Sequence, residues 1–250
     1  MKKLLFAATL ITAFSVFAMG ADMHMTARQA GNANHRGNTA ISLSAPHACT
    51  FAKGHPCLYY GGDFNANDPN ANGYTDENTL LIPNSYTYTE VKAPASAHIS
   101  GSFGNSQESF GILDPQTAEW DIRQGVSEGN GGTDLCSGNG AALNTATGRN
   151  AFGLNEYEVL TATPCSIPAG NTFLAVVPNC TNSGDGDCSS GRYFESTTDG
   201  TLDAINGNFT ITSNNGVGPV LNSSFFGINW GSWCNDLGLC GEGMSFGVLK

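Results

Sequence analysis

The chain has 250 residues, with 21 acidic and 10 basic side chains and a formal net charge of −11 at pH 7. Nucleic acids and anionic membranes bind proteins through a positive surface, so this charge argues against both as partners. The composition includes 32 glycines, and the only long apolar run lies at the N-terminus.

Residues 1–20 have the pattern of a secretory signal peptide. Lys2 and Lys3 precede an apolar run from Leu4 to Ala18, and small residues suited to cleavage follow. The run is shorter than the roughly 20 apolar residues of a membrane span. We therefore expect a secreted, extracellular protein, with the periplasm as an alternative, and no membrane span in the mature chain.

Two further segments follow the signal peptide. Residues 21–48 are polar and rich in Gly, Asn and Ala, which predicts a flexible N-terminal segment. Short runs rich in β-branched and aromatic residues then recur between turns rich in Gly and Asn. They predict an all-β fold, a single antiparallel β-sandwich of jelly-roll type over residues 49–250 that disulfides stabilise. The runs are 85–93, 97–105, 118–126, 157–163, 171–179, 208–213, 223–230 and 244–250.

Helical signals are nearly absent, since even residues 141–152 are too rich in Thr, Asn and Gly for a helix. The run 118–126 shows alternation typical of a strand. Trp120 and Ile122 fall on one face, and Asp121 falls on the other face with Arg123.

The even number of cysteines in an exported chain predicts disulfide bonds. Nearness in sequence suggests three disulfides that close short loops and one that closes a longer loop. Each short loop is worth about 2.6 kcal/mol of stability, and the longer loop about 3.6 kcal/mol. Zinc is a weaker alternative, because no CxxC pair is present. The pairs suggested are Cys49–Cys57, Cys180–Cys188, Cys234–Cys240 and Cys136–Cys165.

The stretch GGDFNANDPNANG, residues 61–73, places side-chain oxygens at short intervals. Calcium takes six to eight oxygen ligands, so this loop is a candidate calcium site. An EF-hand is excluded, because the turn glycine and the bidentate glutamate of that motif are missing. The alternative is a series of Asx turns, in which Asn and Asp bind their own backbone. The candidate ligands are Asp63, Asn65, Asn67 and Asp68.

Loop carboxylates provide a candidate catalytic pair. Glu128 and Asp134 lie in a Gly-rich stretch, and Glu119 or Asp121 offers another partner. Glycoside hydrolysis needs two carboxylates about 5–9.5 Å apart. Solvated surface carboxylates are the alternative interpretation. No nucleophile-elbow, zinc-protease or phosphate-loop motif is present.

The C-terminal region carries two tryptophans. We expect Trp230 to pack in the core, because it lies on a strand pattern. Trp233 adjoins Asn235 and Asp236 in a predicted disulfide-closed loop, where an aromatic face beside polar groups can stack on a sugar. Trp233, Asn235 and Asp236 are therefore the candidate ligand-binding residues, with core packing as the alternative for Trp233.

Several of these stretches resemble exported bacterial proteins of the PEP-CTERM or choice-of-anchor kind. The resemblance covers about residues 57–250 and is most specific in LYYGGDFNANDPNANGYTDENT and AEWDIRQGVSEGNGGT. It implies a secreted β-sandwich associated with surface or exopolysaccharide material, and it implies no catalytic residues. The chain departs from the pattern because no VPEP-type sorting tail follows Lys250, so we do not expect sorting by that route.

Three functional hypotheses follow from the sequence. The leading one is a non-enzymatic secreted protein that binds extracellular polysaccharide or surface material, with calcium as a supporting ion. The second is a glycan hydrolase that uses loop carboxylates. The third is a structural surface or matrix protein without a small ligand.

Overall fold

The computed structural model describes residues 57–108, 117–180, 192–202 and 219–250. These residues form fourteen strands and one short helix, α1 (Trp233–Leu237), and this helix is neither long nor apolar enough to cross a membrane. The strands are β1 (Cys57–Tyr60), β2 (Gly73–Thr75), β3 (Asn78–Thr79), β4 (Ser85–Ala93), β5 (Ala97–Glu108), β6 (Thr117–Gln124), β7 (Thr133–Ala151), β8 (Leu154–Ile167), β9 (Gly170–Cys180), β10 (Tyr193–Thr198), β11 (Val220–Ser223), β12 (Ile228–Ser232), β13 (Gly243–Met244) and β14 (Phe246–Leu249).

The prediction of an all-β antiparallel fold is confirmed. Among the paired strands, only β3 and β9 run parallel. Strand β4 occupies the predicted residues 85–93, and residues 141–152, which gave no convincing signal, lie mostly in β7. The predicted strand 208–213, the signal peptide 1–20 and the segment 21–48 lie outside the described residues.

The strands form one continuous curled sheet, in the order β1-β14-β5-β8-β7-β6-β9-β4-β11-β12. Strand β7 changes partner along its length. Its first part pairs with β6, and its second part, from Ala142, pairs with β8. This change of partner turns the sheet, so that its two halves enclose a core between them. The jelly-roll connectivity of the sequence prediction is not confirmed.

The main core lies between these two halves. One half contributes Trp120 and Ile122 from β6, and the other contributes Val159 from β8 and Phe246 from β14. A second apolar cluster lies on the outer face, around Tyr88, Phe173, Val220 and Trp230. The prediction that Trp230 packs in a core is confirmed.

Two of the predicted disulfides are formed. Cys136 bonds to Cys165, and Cys234 bonds to Cys240. Cys57 is also disulfide-bonded. Its predicted partner Cys49, and the predicted pair Cys180–Cys188, fall on residues or side chains that the structure does not describe.

Candidate functional site

An open cleft of about 420 Å³ lies on the outer face of β6 and β7. Strands β4 and β9 complete its walls. Three of the carboxylates that the sequence offered for chemistry therefore share one cleft. Its lining residues are Tyr86, Glu119, Trp120, Asp121, Arg123, Asp134, Ser137, Gly138, Asn139 and Val177.

The alternation of β6 explains why the cleft is polar. Trp120 and Ile122 are buried in the main core, whereas Glu119, Asp121 and Arg123 are only partly buried on the other face. The prediction that these two sets lie on opposite faces is confirmed. Because side chains alternate along a strand, burying the apolar set places the charged set together outside.

Glu119 is held by two donors, one from β3 and one from β4. Asn78 Nδ2 donates to its Oε1 at 2.8 Å, and the Tyr86 hydroxyl donates to its Oε2 at 2.7 Å. Burial and the Glu119 carboxylate raise the pKa of Tyr86. The hydroxyl therefore stays protonated and keeps Glu119 in a fixed orientation.

Asp121 lines the cleft and accepts two hydrogen bonds on one oxygen. The Tyr88 hydroxyl donates to Asp121 Oδ2 at 2.7 Å, and Arg123 Nε donates to the same oxygen at 2.6 Å. Its other oxygen, Oδ1, is buried and has no hydrogen-bond partner within the described residues. Burial and the Asp121 carboxylate raise the pKa of Tyr88. Asp121 thus has one buried acceptor whose hydrogen-bonding capacity is unused.

The opposite wall of the cleft comes from β7. Ser137 lies opposite Asp121, and Asn139 lies opposite Glu119. The Ser137 hydroxyl donates to Asp134 Oδ2 at 2.9 Å. Alternate residues of a strand are about 7 Å apart, so these pairs present polar groups in successive rows.

Arg123 connects the cleft to the outer aromatic cluster. Its guanidinium lies 5.0 Å from the Trp230 ring, and its Nη1 donates to the Gly131 carbonyl at 3.0 Å. Trp230 has a φ of 54°, which is unusual for a bulky residue. A Cβ on Gly131 would lie 2.4 Å from the Trp230 ring, so this glycine lets the loop approach the ring closely.

The structure separates the carboxylates of the hydrolase hypothesis. Glu119, Asp121 and Asp134 line the cleft, whereas Glu128 does not. Glu128 Oε2 instead accepts a hydrogen bond from Asn235 Nδ2 at 2.9 Å. The Glu128 and Asp134 pair of the hydrolase hypothesis therefore does not share this cleft.

The prediction of Trp233 as an exposed sugar platform is wrong. Its side chain is 0% exposed and lies in the main core, 4.3 Å from the ring of Tyr74. Ser232 caps α1 by accepting from the Asn235 backbone N–H at 3.3 Å, and the helix turns Trp233 inward. Asn235 and Asp236 are exposed on α1, and their ligand-binding role stays a prediction.

The structure divides the four candidate calcium ligands. Asp63 is buried, where Oδ1 accepts from the Tyr60 hydroxyl at 2.5 Å and Oδ2 pairs with Arg149 at 2.8 Å. It is therefore directed away from a shared ion. Asn65 Oδ1 accepts from the Asn67 backbone N–H at 3.1 Å, which is an Asx turn. Binding of one ion by Asp63, Asn65, Asn67 and Asp68 stays a prediction.

Asp68 has the same turn geometry, since its Oδ1 accepts from the Asn70 backbone N–H at 2.9 Å. It also lies beside Glu242. Burial, together with the Asp68 carboxylate, raises the pKa of Glu242 to about 8. Among the described residues, no group of three or more His, Cys, Asp or Glu side chains has a geometry suited to a metal ion.

A second set of charged residues lies inside the fold, where β7 and β8 meet the loop after β1. Arg149 forms ion pairs with Asp63 and Glu156, and all three side chains are buried. Nearby, Asn105 Nδ2 donates to the Tyr60 hydroxyl at 2.8 Å. This buried network ties β1 and the loop after it to strands β5, β7 and β8.

Several residues of the two sites were not predicted as functional from the sequence. Tyr86 and Tyr88 are the clearest examples. The strand pattern SYTYTEVKA places both tyrosines on one face. A search for hydroxyl donors to the acidic face of β6 could therefore have found them. Nothing in the sequence around Arg149 indicated an ion pair, because Asp63 is far away along the chain and Glu156, seven residues away, meets Arg149 only across the β7–β8 hairpin.

Comparison with protein-family models, with curated proteins and with solved structures finds no match for this chain. The fold and the cleft define the class: an all-β, disulfide-bonded protein with an acidic cleft on its outer face. The relation to PEP-CTERM or choice-of-anchor proteins stays a prediction.

Proposed function

We propose that this chain is a secreted, non-enzymatic protein that binds extracellular polysaccharide in the cleft on β6 and β7. The observation that carries the proposal is the convergence of Glu119, Asp121, Asp134, Ser137 and Asn139 on one open cleft. Binding sites commonly combine a concave surface with a few fixed polar groups.

The chemistry of the lining favours a neutral, hydroxyl-rich ligand. Carboxylates accept hydrogen bonds from sugar hydroxyls, and the Ser137 and Asn139 side chains can both donate and accept. An anionic polymer is disfavoured, because three carboxylates face the cleft and only Arg123 offsets them.

Glycan-array binding followed by calorimetry with neutral oligosaccharides tests this proposal. Asp134→Ala and Asn139→Ala change exposed residues, so the fold is expected to persist. Each is expected to weaken binding roughly 2- to 10-fold, the loss of one hydrogen bond. Asn235→Ala, on exposed α1 and outside the cleft, is the matched control and should bind normally.

Two results would overturn the proposal. Equal weakening by Asn235→Ala would move the site to the predicted Asn235 and Asp236 position. No binding to any glycan would favour the hypothesis of a structural surface or matrix protein.

Glycan hydrolysis is the second candidate function. Glu119 and Asp121 are alternate residues on one strand face, which implies a separation of about 7 Å, within the range of catalytic pairs. Both carboxylates already accept hydrogen bonds from tyrosines, which favours binding over acid catalysis. Release of reducing ends by the wild-type chain, and its loss in Glu119→Gln, would establish hydrolysis.

Calcium support of the fold is a further part of the proposal. Melting temperature is the readout, since calcium at 100 times its dissociation constant adds about 2.7 kcal/mol of stability. If Asp68 contributes a ligand, Asp68→Asn should reduce the shift. Absence of any shift at millimolar calcium would leave the Asx turns as the full explanation of this loop.

A further inference from the structure

Ser196 and Gln107 lie side by side in the interior, away from the cleft. They belong to neighbouring antiparallel strands, β10 and β5, and both side chains are completely buried. Gln107 pairs with Phe194 across the strands. Because alternate residues share a face, Ser196 lies on the same face as Gln107, one row along.

The Ser196 hydroxyl lies between a carboxylate and a carboxamide. Its Oγ donates to Glu156 Oε1 at 2.8 Å and accepts from Gln107 Nε2 at 3.3 Å. The first contact is the geometry of a nucleophile and its general base. The second contact places the Gln107 carboxamide beside the hydroxyl through its Nε2, so attack requires the carboxamide to turn until its Cδ faces Oγ.

Glu156 is oriented for the role of base. Its Oε2 accepts from the Thr147 hydroxyl at 2.9 Å and from Arg149 Nε. These contacts leave Oε1 to accept the Ser196 proton. The carboxamide oxygen of Gln107 is buried without a hydrogen-bond partner in the described ranges. The carboxamide oxygen therefore lacks a hydrogen bond in the interior, where an unsatisfied polar atom costs stability.

We propose that Ser196 and Gln107 react to form an intramolecular ester bond that cross-links β10 to β5. Ser196 Oγ attacks Cδ of Gln107 while Glu156 Oε1 takes the hydroxyl proton. The C–N bond then breaks, and the amino group leaves with that proton as ammonia. The step is neither oxidation nor reduction and needs no co-reactant.

Burial supports both the formation and the persistence of such a bond. Water is excluded from the three side chains, so hydrolysis of the ester is suppressed. A cross-link between two adjacent strands would also suit a protein that works outside the cell. The inference is independent of the ligand proposed for the cleft.

Intact-mass and peptide-mapping mass spectrometry of the purified, reduced full chain test the proposal. The chain is expected to be lighter than its sequence by one ammonia, and digestion should yield one peptide pair joined through Gln107 and Ser196. Mild alkaline treatment should separate the pair. Ser196→Ala should carry the full mass of its own sequence.

Ser106→Ala is the matched control, because Ser106 is equally buried on β5 but points to the opposite face. It should keep the ammonia deficit. Succinimide formation at an Asn–Gly step gives the same mass loss without joining two peptides, so the joined pair decides the assignment. A wild-type chain in which Gln107 and Ser196 are found only in unmodified, separate peptides would overturn the proposal, whether or not the variants fold.

Discussion

The outer cleft and the buried network both combine Arg, Asp and Tyr side chains, but the two regions differ in their exposure to solvent. In the cleft, Arg123 and Tyr88 both contact Asp121. In the interior, Arg149 and the Tyr60 hydroxyl both contact Asp63. The Arg123 side chain is 23% exposed, whereas that of Arg149 is 3% exposed.

Solvent access therefore separates a binding surface from a structural element. A carboxylate at a cleft can exchange water for a ligand hydroxyl at small cost. A buried carboxylate has no such exchange, and removing its partner leaves a charge in a medium that solvates it poorly. The same Arg–Asp–Tyr chemistry is thus expected to determine binding in one region and folding in the other.

Arg149→Met is expected to have the largest effect on stability. It leaves Asp63 and Glu156 buried without their cation, which costs about 3–5 kcal/mol. Urea unfolding followed by circular dichroism measures the change. Arg123→Met is the matched control and should cost about 1 kcal/mol or less, as is usual for a partly exposed ion pair. Equal losses in the two variants would contradict the distinction between the two regions.

The Cys136–Cys165 disulfide joins β7, beside the cleft, to β8 in the other half of the sheet. Replacing both cysteines with alanine is expected to lower the free energy of unfolding by about 3.6 kcal/mol. The Cys234–Cys240 bond closes a shorter loop, so the same change there should cost about 2.3 kcal/mol. Thermal unfolding of the two double variants compares them, and a larger loss at Cys234–Cys240 would contradict the loop-length argument.

The sequence predicted the exposed region better than the buried one. Alternation in 118–126 was sufficient to place Asp121 and Arg123 opposite Trp120, because local periodicity determines which face a side chain occupies. Nearness in sequence, which suggested three short pairs and left Cys136 with Cys165, also predicted that disulfide correctly.

The interior was not predictable by the same means. Asp63 was assigned to a calcium loop, yet its partner Arg149 lies far along the chain and reaches it only through the curl of the sheet. Trp233 was assigned to the surface because its core contacts are also distant along the chain. A short capped helix turns it inward, and its neighbour Tyr74 comes from a distant strand.

The pH dependence of stability should come from the buried acids. Burial raises the pKa of Glu77 to about 7, against the opposing influence of Arg192. Burial and neighbouring carboxylates likewise raise the pKa values of Glu242, Asp76 and Glu195. The folded state therefore holds these protons more tightly than the unfolded state, whose glutamates titrate near about pH 4.3.

This difference makes the folded state more stable at low pH. The stabilisation is complete below about pH 4.3 and is lost as the pH rises through the folded pKa values near 7 and 8. We expect the free energy of unfolding to fall between pH 5 and 8, by up to about 1.4 kcal/mol per pH unit for each group. Glu242→Gln should flatten the slope measured by urea titration at several pH values. Asn139→Ala, which adds and removes no titratable group, should keep it.

Asn139→Ala is also expected to show the smallest effect on stability. Asn139 is exposed on β7, and substitutions at such surface positions usually change stability by less than about 0.5 kcal/mol. Asn105→Ala provides the interior counterpart, because Asn105 Nδ2 donates to the Tyr60 and Ser245 hydroxyls inside the fold, at 2.8 and 2.7 Å. Its loss should cost about 1–3 kcal/mol. If instead Asn139→Ala destabilised the chain as much as Asn105→Ala does, the cleft would be a structural element of the sheet, and its polar residues would no longer be free to act in binding.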